Sequence, residues 1–303
     1  MSLQQLTERV HIFRGGVNFA LVEAPAKRLI MIDSGLDSSN ARKGLRPFLE
    51  AGYTLAAIVN THSHADHIGG NADLVRRTGC AVYASARERP YLLWPELEPL
   101  GLYGAYPPPA LQVKFLQAQP TPQVIELPAA PCRFSVADVE LELIPTPGHS
   151  LEQVAVAVDG VLVAADALFQ LDVIEKHPII FLVNVAEYLA SLERLGGRPE
   201  RFVLPGHGDL IDRGGGEDPL PAVIAANVAV MKSMQERIVT ALAMQPRTLE
   251  GLVATVMESY GKRLEGEAQF FLDRAALSAH ISYLTHAGRV QVQYQDGHRL
   301  LLT

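Results

Sequence analysis

Short, continuous runs of apolar residues alternate with polar turns in the first 35 residues of the chain. Runs of this length are typical of buried β-strands. They fall at residues 10–13, 19–22 and 29–32, and the third is closed by Asp33-Ser34-Gly35. A helix is predicted over residues 38–51, with Ser38, Ser39 or Asn40 as its N-cap. An apolar strand at 57–60 and a helix at 71–78 follow.

The middle of the chain returns to strand patterns. Apolar and polar residues alternate at 139–144, which predicts a half-exposed strand. Two apolar runs flank Asp159-Gly160, a pair that favours a type I′ hairpin turn. The remaining predicted elements are a strand at 82–84, hairpin strands at 154–158 and 161–163, a helix at 184–195 and a strand at 202–204.

Residues 86–122 interrupt this rhythm with closely spaced prolines and several aromatic residues. Proline at this density excludes a regular sheet or a long helix. The aromatic residues indicate that the segment packs against another part of the fold. We interpret it as a lid or wall beside a site; the alternatives are a covering loop without a substrate role and a dimer contact.

The pattern becomes helical after about residue 219. Helices are predicted at 221–243 and from 246, and a third is predicted with Asp273 as its cap. A hairpin around Asp296-Gly297 ends the chain. Residues 220–303 therefore resemble a small winged-helix-like domain behind a domain of residues 1–219. Basic and acidic residues balance from residue 246 onward, which favours packing or dimerisation over nucleic-acid contact.

Composition narrows the class of protein. The chain has 303 residues, 48% of them hydrophobic, enough for one large domain or a domain with a small appendage. Its net charge of −7 provides no general attraction to nucleic acid or to an anionic membrane. Two cysteines imply no disulfide framework, and neither a signal segment nor a membrane-spanning run is evident. We therefore expect a soluble, cytoplasmic protein.

The densest chemistry lies directly after the strand at 57–60. His62, His64, Asp66 and His67 fall within six residues, in the turn between that strand and a helix. Imidazole nitrogen and carboxylate oxygen are the donors that suit Zn²⁺ and similar divalent ions. Titratable groups this close destabilise one another unless a cation compensates them. The cluster therefore predicts a metal site.

Further candidates occupy the same kind of position. His149, Asp166 and His207 each lie where a strand gives way to a loop, and Asp33 ends the third apolar run. A metal site needs ligands that converge from separate parts of a fold. We expect one site assembled from these loops. Asp33 is either a turn residue or a carboxylate that orients a ligand histidine.

Taken together, these motifs resemble the metallo-β-lactamase-fold hydrolase superfamily. The matches come in the family's order and span roughly residues 8–210. They are His62-Ser63-His64-Ala65-Asp66-His67, Gly148-His149-Ser150, Ala165-Asp166 and Pro205-Gly206-His207. No cysteine stands in a ligand position. In this respect the chain resembles the glyoxalase II, lactonase and ribonuclease Z branches, and the glyoxalase II branch most of all.

The resemblance implies an α+β fold, a four-layer αββα sandwich with a two-metal site at one edge. It implies His62, His64 and His149 as ligands of the first ion and Asp66, His67 and His207 as ligands of the second. Asp166 would bridge both ions. Two zinc ions are expected, with iron or manganese as alternatives. His177 and Tyr188 are candidates for substrate contact, and a homodimer is one reading of the quaternary structure.

The expected reaction is hydrolysis of a small-molecule ester, thioester or lactone by a hydroxide held between two ions, with Asp66 and Asp166 as the catalytic carboxylates. Two alternatives stay open. A nuclease or phosphodiesterase of the same fold would need a basic channel. A mononuclear iron oxygenase of the persulfide type would use a similar ligand set.

Overall fold

A computed structural model of the chain describes residues 2–263 and 265–303. The strands of its first part are β1 Ser2–Gln5, β2 Val10–Arg14, β3 Phe19–Ala24, β4 Arg28–Ile32, β5 Thr54–Val59, β6 Ala81–Ala84 and β7 Ile125–Glu126. Those of its second part are β8 Cys132–Val136, β9 Val139–Pro145, β10 Val154–Val158, β11 Val161–Ala165, β12 Phe202–Pro205, β13 Ile211–Asp212, β14 Gln291–Gln295 and β15 His298–Leu302.

Helices connect and cover these strands. They are α1 Ser38–Glu50, α2 Ala65–Ile68, α3 Asn71–Thr78, α4 Arg89–Leu93, α5 Leu97–Tyr103, α6 Leu171–Lys176, α7 Val185–Gly196, α8 Leu220–Met244, α9 Leu249–Ser259 and α10 Glu267–His286. A 3₁₀ turn at Pro109–Leu111 is the remaining helical piece of the proline-rich segment. That segment therefore contains only short helical pieces, as its prolines predict.

Two sheets face each other. The first runs β1 to β7 in order, antiparallel from β1 to β4 and parallel from β4 to β7. The second has the order β13-β12-β11-β10-β9-β8, and β11 pairs with β12 in parallel. The β10–β11 turn has positive φ at both Asp159 and Gly160, as a type I′ turn requires.

Three apolar cores separate the layers. One lies between the sheets and joins residues such as Ile12 and Ile30 to Val156 and Leu204. A second packs the other face of the first sheet against α1 and α3, and a third packs the second sheet against α7 and α8. The predicted four-layer αββα sandwich is confirmed.

Residues 220–303, here called the C-terminal unit, contain α8, α9, α10 and the β14–β15 hairpin. Helix α8 packs on the second sheet through Val223 and Val230, and on α9 and α10 through Met234 and Ile238. The helix therefore belongs to both parts, and the boundary at residue 219 and the winged-helix likeness stay predictions. None of the described helices is long and apolar enough to cross a membrane.

Two predicted caps are wrong. Asp37 caps α1, because its Oδ1 accepts hydrogen bonds from the amides of Ser39 and Asn40; the prediction of Ser38, Ser39 or Asn40 was late by at least one residue. Asp273 caps nothing. Helix α10 begins at Glu267, and Asp273 lies buried inside it.

Candidate metal centre

The predicted site residues meet at one end of the sandwich, which we call the site edge. The carboxyl ends of β4 and β5 bring Asp33 and the segment 61–67 there, and the ends of β9, β11 and β12 bring the other loops. Asp33 and Ala165, at the ends of β4 and β11, have φ of 61° and 47°. This left-handed conformation is costly for a residue with a Cβ, and it turns the chain sharply as it leaves the strand.

Two triads of candidate ligands form at the site edge. The candidate ligand atoms of His62, His64 and His149 lie within 4.8 Å of one another, and so do those of Asp66, His67 and His207. The first triad draws on two loops and the second on two, and all six side chains except His64 and His207 are buried. The structure therefore brings together the groups that the resemblance assigned to two ions.

Asp166 lies between the triads. Its Oδ1 is 3.3 Å from Nε2 of His67, and its Oδ2 is 3.3 Å from Nε2 of His149 and 3.5 Å from Nε2 of His207. A single carboxylate thus contacts members of both triads. A Cβ at position 206 would come within 2.0 Å of Asp166 Oδ1, so this approach requires Gly206.

The outer nitrogens of four imidazoles are held by the protein. Nδ1 of His149 lies 2.8 Å from the carbonyl oxygen of Phe181, and Nδ1 of His207 lies 2.9 Å from that of Gly16. A carbonyl only accepts, so each Nδ1 carries a proton, and in the neutral imidazole each Nε2 keeps the lone pair that a metal ion binds. Nδ1 of His67 lies 2.9 Å from Asp33 Oδ2, and that of His62 lies 3.0 Å from Thr61 Oγ1.

The inner atoms lack partners. Among the described residues, Nε2 of His62, His67 and His149 and Oδ1 of Asp166 are buried without a hydrogen bond. Buried polar atoms are normally satisfied, and four such atoms at one point fit a divalent cation with nitrogen and oxygen ligands. The residues present therefore fit the metal ions that the family implies.

Electrostatics differ across the cluster. Burial lowers the pKa of His149 to about 3, and burial together with the neighbouring histidines lowers the pKa of His62. Burial also opposes protonation of His207, but the carboxylates of Asp166 and Asp66 outweigh it and raise its pKa to about 10. Burial disfavours ionisation of Asp166, yet His207 and His67 hold the pKa of that carboxyl well below its usual range.

Asp33 supports the site from behind. Its ligand atom also falls within 4.8 Å of those of His62 and His67. Its oxygens are already occupied, however: Oδ1 accepts from the Thr61 amide at 2.8 Å, and Oδ2 accepts from Thr61 Oγ1 at 2.8 Å and faces His67 Nδ1. Asp33 thus has the geometry of a carboxylate that orients His67 rather than that of a ligand.

A cavity of about 490 Å³ opens over the cluster. His64, Asp66, His149, Asp166 and His207 form its polar floor. The walls are mostly apolar and come from three separate stretches. They are the proline-rich segment with Phe115 and Leu116, the stretch after Asp166 with Phe169, Val173, Ile179, Ile180 and Phe181, and helix α10 with Leu272.

The two predicted substrate contacts have different positions. His177 lines the cavity beside Lys176. Tyr188 does not, and this prediction needs correction: its side chain is fully buried, and its hydroxyl donates to Asn227 Oδ1 at 2.8 Å. Its backbone instead packs on Gly148, where a Cβ would come within 2.3 Å of the Tyr188 nitrogen. Tyr188 therefore helps to seat the loop of His149.

Sequence reasoning missed Glu88, a buried carboxylate that contacts two of the site loops. It accepts hydrogen bonds from Ser63 and Ser150, the residues next to His64 and His149. A glutamate inside a proline-rich segment carries no motif that links it to a metal site. Only the pairing of these distant segments reveals it.

A four-layer αββα sandwich with histidines and carboxylates gathered at one edge defines the class of metal-dependent hydrolases expected above. The family model of the metallo-beta-lactamase superfamily matches residues 12–207, and the chain belongs to that superfamily. The match spans the sandwich from β2 to the loop of His207 and ends before the C-terminal unit.

Curated relatives include two kinds of hydrolase. An atrochrysone carboxyl ACP thioesterase of Pseudocercospora fijiensis is 23% identical over 308 residues, covering 98% of this chain and 80% of the relative. A hydroxyacylglutathione hydrolase of Xanthomonas euvesicatoria pv. vesicatoria is 28% identical over 191 residues, covering 62% of this chain and 59% of the relative. The similarity to the thioesterase therefore includes the C-terminal unit, whereas the other match spans little more than half of either protein.

Solved structures share the whole architecture. A beta-lactamase domain protein from Burkholderia ambifaria has a TM-score of 0.77 at 19% identity and covers 99% of this chain and 94% of its own. A metallo-beta-lactamase family protein from Thermus thermophilus has a TM-score of 0.71 at 20% identity, covering 99% and 97%. At this identity the likeness concerns the fold alone.

Proposed function

We propose that this protein is a hydrolase with two divalent metal ions that cleaves a thioester bond in a small molecule with an apolar acyl group. The observation that carries the proposal is the pair of ligand triads around Asp166 on the floor of an apolar cavity. The names of the two relatives support the bond type, since one is a thioesterase and an acylglutathione is itself a thioester. Esters and lactones are the related substrates to compare.

In this proposal His62, His64 and His149 would hold one ion, and Asp66, His67 and His207 would hold the other. Asp166, which lies close to members of both triads, would be available to both ions. Zinc suits this donor set, with iron and manganese as alternatives. Bound there, a divalent ion would lower the pKa of water from about 15.7 to about 7 and polarise a carbonyl oxygen.

The chain's own residues supply the geometry. Asp66 lines the cavity and lies 3.3 Å from His207 Nε2, so its carboxylate is placed to accept a hydrogen bond from the attacking water and orient it. Phe169 and Phe181 border the same floor and give it apolar surroundings. A thiol leaving group has a pKa near 8.5, so it departs as thiolate without a dedicated acid.

The walls favour an apolar acyl group. Leu116, Ile180 and Leu272 are contributed by three distant stretches and enclose the space above the polar floor. Burying an apolar group there is worth about 25 cal/mol per Å² of surface removed from water. A thioester whose acyl group fills this space should bind more tightly than an acetyl thioester, which leaves most of the space empty.

The competing reactions predict different outcomes. A nuclease needs a basic channel, whereas the cavity contains acidic Asp66, Glu98, Asp166 and Asp172 and one lysine, Lys176. An iron oxygenase would hold one iron ion per chain and consume oxygen, whereas the proposed hydrolase holds two ions and consumes none.

The deciding experiment combines elemental analysis with a substrate panel. Acetyl, hexanoyl and benzoyl thioesters of glutathione and coenzyme A would be compared with the matching oxygen esters, a lactone and a phosphodiester. We expect two metal ions per chain, thiol release from the bulkier acyl thioesters, its loss on chelation, and its return on adding Zn²⁺ or Mn²⁺. Thioester cleavage that persists in metal-free protein, or oxygen uptake with a persulfide, would refute the proposal.

A further inference from the structure

Glu88 is a buried carboxylate that bridges two loops of the site edge. It lies between β6 and α4 and is 2% exposed. Its Oε2 accepts from the amide of Ser63, 3.1 Å away, and from the Ser63 hydroxyl. Its Oε1 accepts from the Ser150 hydroxyl at 2.7 Å and from the amide of Glu152 at 2.8 Å. Four donors from two loops therefore converge on one side chain.

The turn that carries Glu88 is itself attached to the second loop. The Ser85 hydroxyl donates to the carbonyl oxygen of Glu152 at 2.7 Å, and the Arg87 amide donates to Glu152 Oε2 at 2.7 Å. Among the described residues no arginine, lysine or histidine forms a salt bridge with Glu88. Its charge is therefore compensated by neutral donors that belong to the two site loops.

We propose that Glu88 is a positioning residue that fixes His64 and His149 in the spacing that a metal ion needs. Ser63 precedes His64, and Ser150 follows His149, so holding both serines sets the separation of the two histidines. Their ring centroids are 4.5 Å apart. The inference rests on the proposed metal site and adds a residue to it that no motif marks.

The chemistry requires a carboxylate. Each of the two oxygens accepts two hydrogen bonds, which a carboxylate can do at both ends. The amide of a glutamine would present its NH₂ group to two donors, at Ser63 or at Ser150. Glu88→Gln preserves the size of the side chain and removes half of the acceptor capacity.

The test measures metal affinity directly. Zn²⁺ would be titrated into metal-free wild type and Glu88→Gln in competition with a chromogenic chelator. Hydrogen exchange of the metal-free proteins would report on the segments 61–67 and 148–153. We expect a 10- to 100-fold weaker affinity for at least one ion, faster exchange in both segments, and thioesterase activity that excess Zn²⁺ restores.

Controls separate positioning from general destabilisation. Glu96→Gln, in the same segment but exposed, should match wild type in affinity and exchange. Should Glu88→Gln fail to fold, Ser150→Ala removes one of the four bonds and should weaken Zn²⁺ affinity by a smaller factor. If the wild type binds Zn²⁺ and the variants bind it with the same affinity, the proposed role of Glu88 is wrong. A wild type that binds no metal would instead overturn the proposed function.

Discussion

The site edge and the C-terminal unit bury polar side chains in opposite ways. At the site edge, buried groups are connected: Asp33 accepts hydrogen bonds from Thr61 and faces His67, and Glu88 accepts from Ser63, Ser150 and Glu152. Four buried atoms without partners among the described residues, Nε2 of His62, His67 and His149 and Oδ1 of Asp166, converge on the candidate metal centre. The buried polar side chains at this edge are therefore arranged around a position that fits a ligand.

In the described part of the C-terminal unit, two buried ionisable side chains each have one atom without a partner, although Asp273 Oδ1 accepts a hydrogen bond from Gln269 Nε2 at 2.9 Å. His280 is 1% exposed, and its Nδ1 has no hydrogen-bond partner within the described ranges. Burial lowers its pKa to about 4. Oδ2 of Asp273, on the same helix, is likewise without a partner in the described part of the chain, and burial raises the pKa of that carboxyl.

The difference shows that unsatisfied buried atoms mark a ligand site only when several converge. A single unsatisfied buried atom costs free energy, and no bound ligand offsets that cost.

Asp166→Asn should break the site edge as a whole. The amide retains the shape of the carboxylate but lacks its negative charge, which faces His67, His149 and His207. We expect loss of at least one metal ion per chain and roughly a thousandfold or greater fall in kcat/KM, since this group serves both ions. Asp172→Asn, on the wall of the same cavity, is the matched control and should retain full metal content.

Asp33→Asn should have a smaller effect because it acts through His67. The substituted amide cannot accept from Thr61 and His67 at both ends, so the imidazole loses its fixed orientation. We expect about 10- to 100-fold weaker Zn²⁺ binding, measured by chelator competition. Asp37→Asn, a helix cap four residues later, should bind normally because asparagine caps equally well. Equal losses in both variants would contradict an orienting role.

His280→Leu should affect stability and not the metal site. The folded pKa of about 4 lies below the ordinary value of 6.5, so unfolded chains take up a proton first as the pH falls. The contribution of neutral His280 to the free energy of unfolding is therefore fully present above pH 6.5 and is lost as the pH falls towards 4. Denaturant unfolding should therefore show that the wild type loses about 2 kcal/mol more than His280→Leu between pH 7 and pH 5.

The exposed His286 on the same helix provides the comparison for that experiment. His286→Leu should leave the acid dependence of the wild type unchanged. If both leucine variants had the same pH profile, the buried His280 would not be the source of the acid sensitivity.

Leu272→Trp tests the place where the two regions meet, because Leu272 belongs to α10 and lines the cavity over the site edge. The larger side chain should narrow the space for the acyl group. We expect a several-fold rise in KM for benzoyl thioesters and little change for acetyl thioesters, since about 1–3 kcal/mol separates a good from a poor apolar fit. Leu100→Trp, exposed on α5, should change neither.

Much of this arrangement could be predicted from local sequence. His62, His149, Asp166 and His207 each follow a strand that the hydrophobic pattern predicts, and strand ends at one edge of a sandwich bring loops together. The α10 start was misplaced because Asp273 has the properties of a cap, whereas the helix that packs in the C-terminal unit has its N-cap at Gly266, seven residues earlier. Tyr188 was misjudged for a similar reason, since nothing local shows which way a helix faces.

The sequence by itself determined most of the strands, the longer helices and the set of candidate metal ligands, because hydrophobic period and donor chemistry are local properties. The tertiary structure alone decided which outer nitrogen meets which carbonyl, that Glu88 joins two site loops, and that Leu272 closes the cavity. These contacts join residues far apart along the chain, and their geometry depends on how complete layers pack rather than on any single stretch.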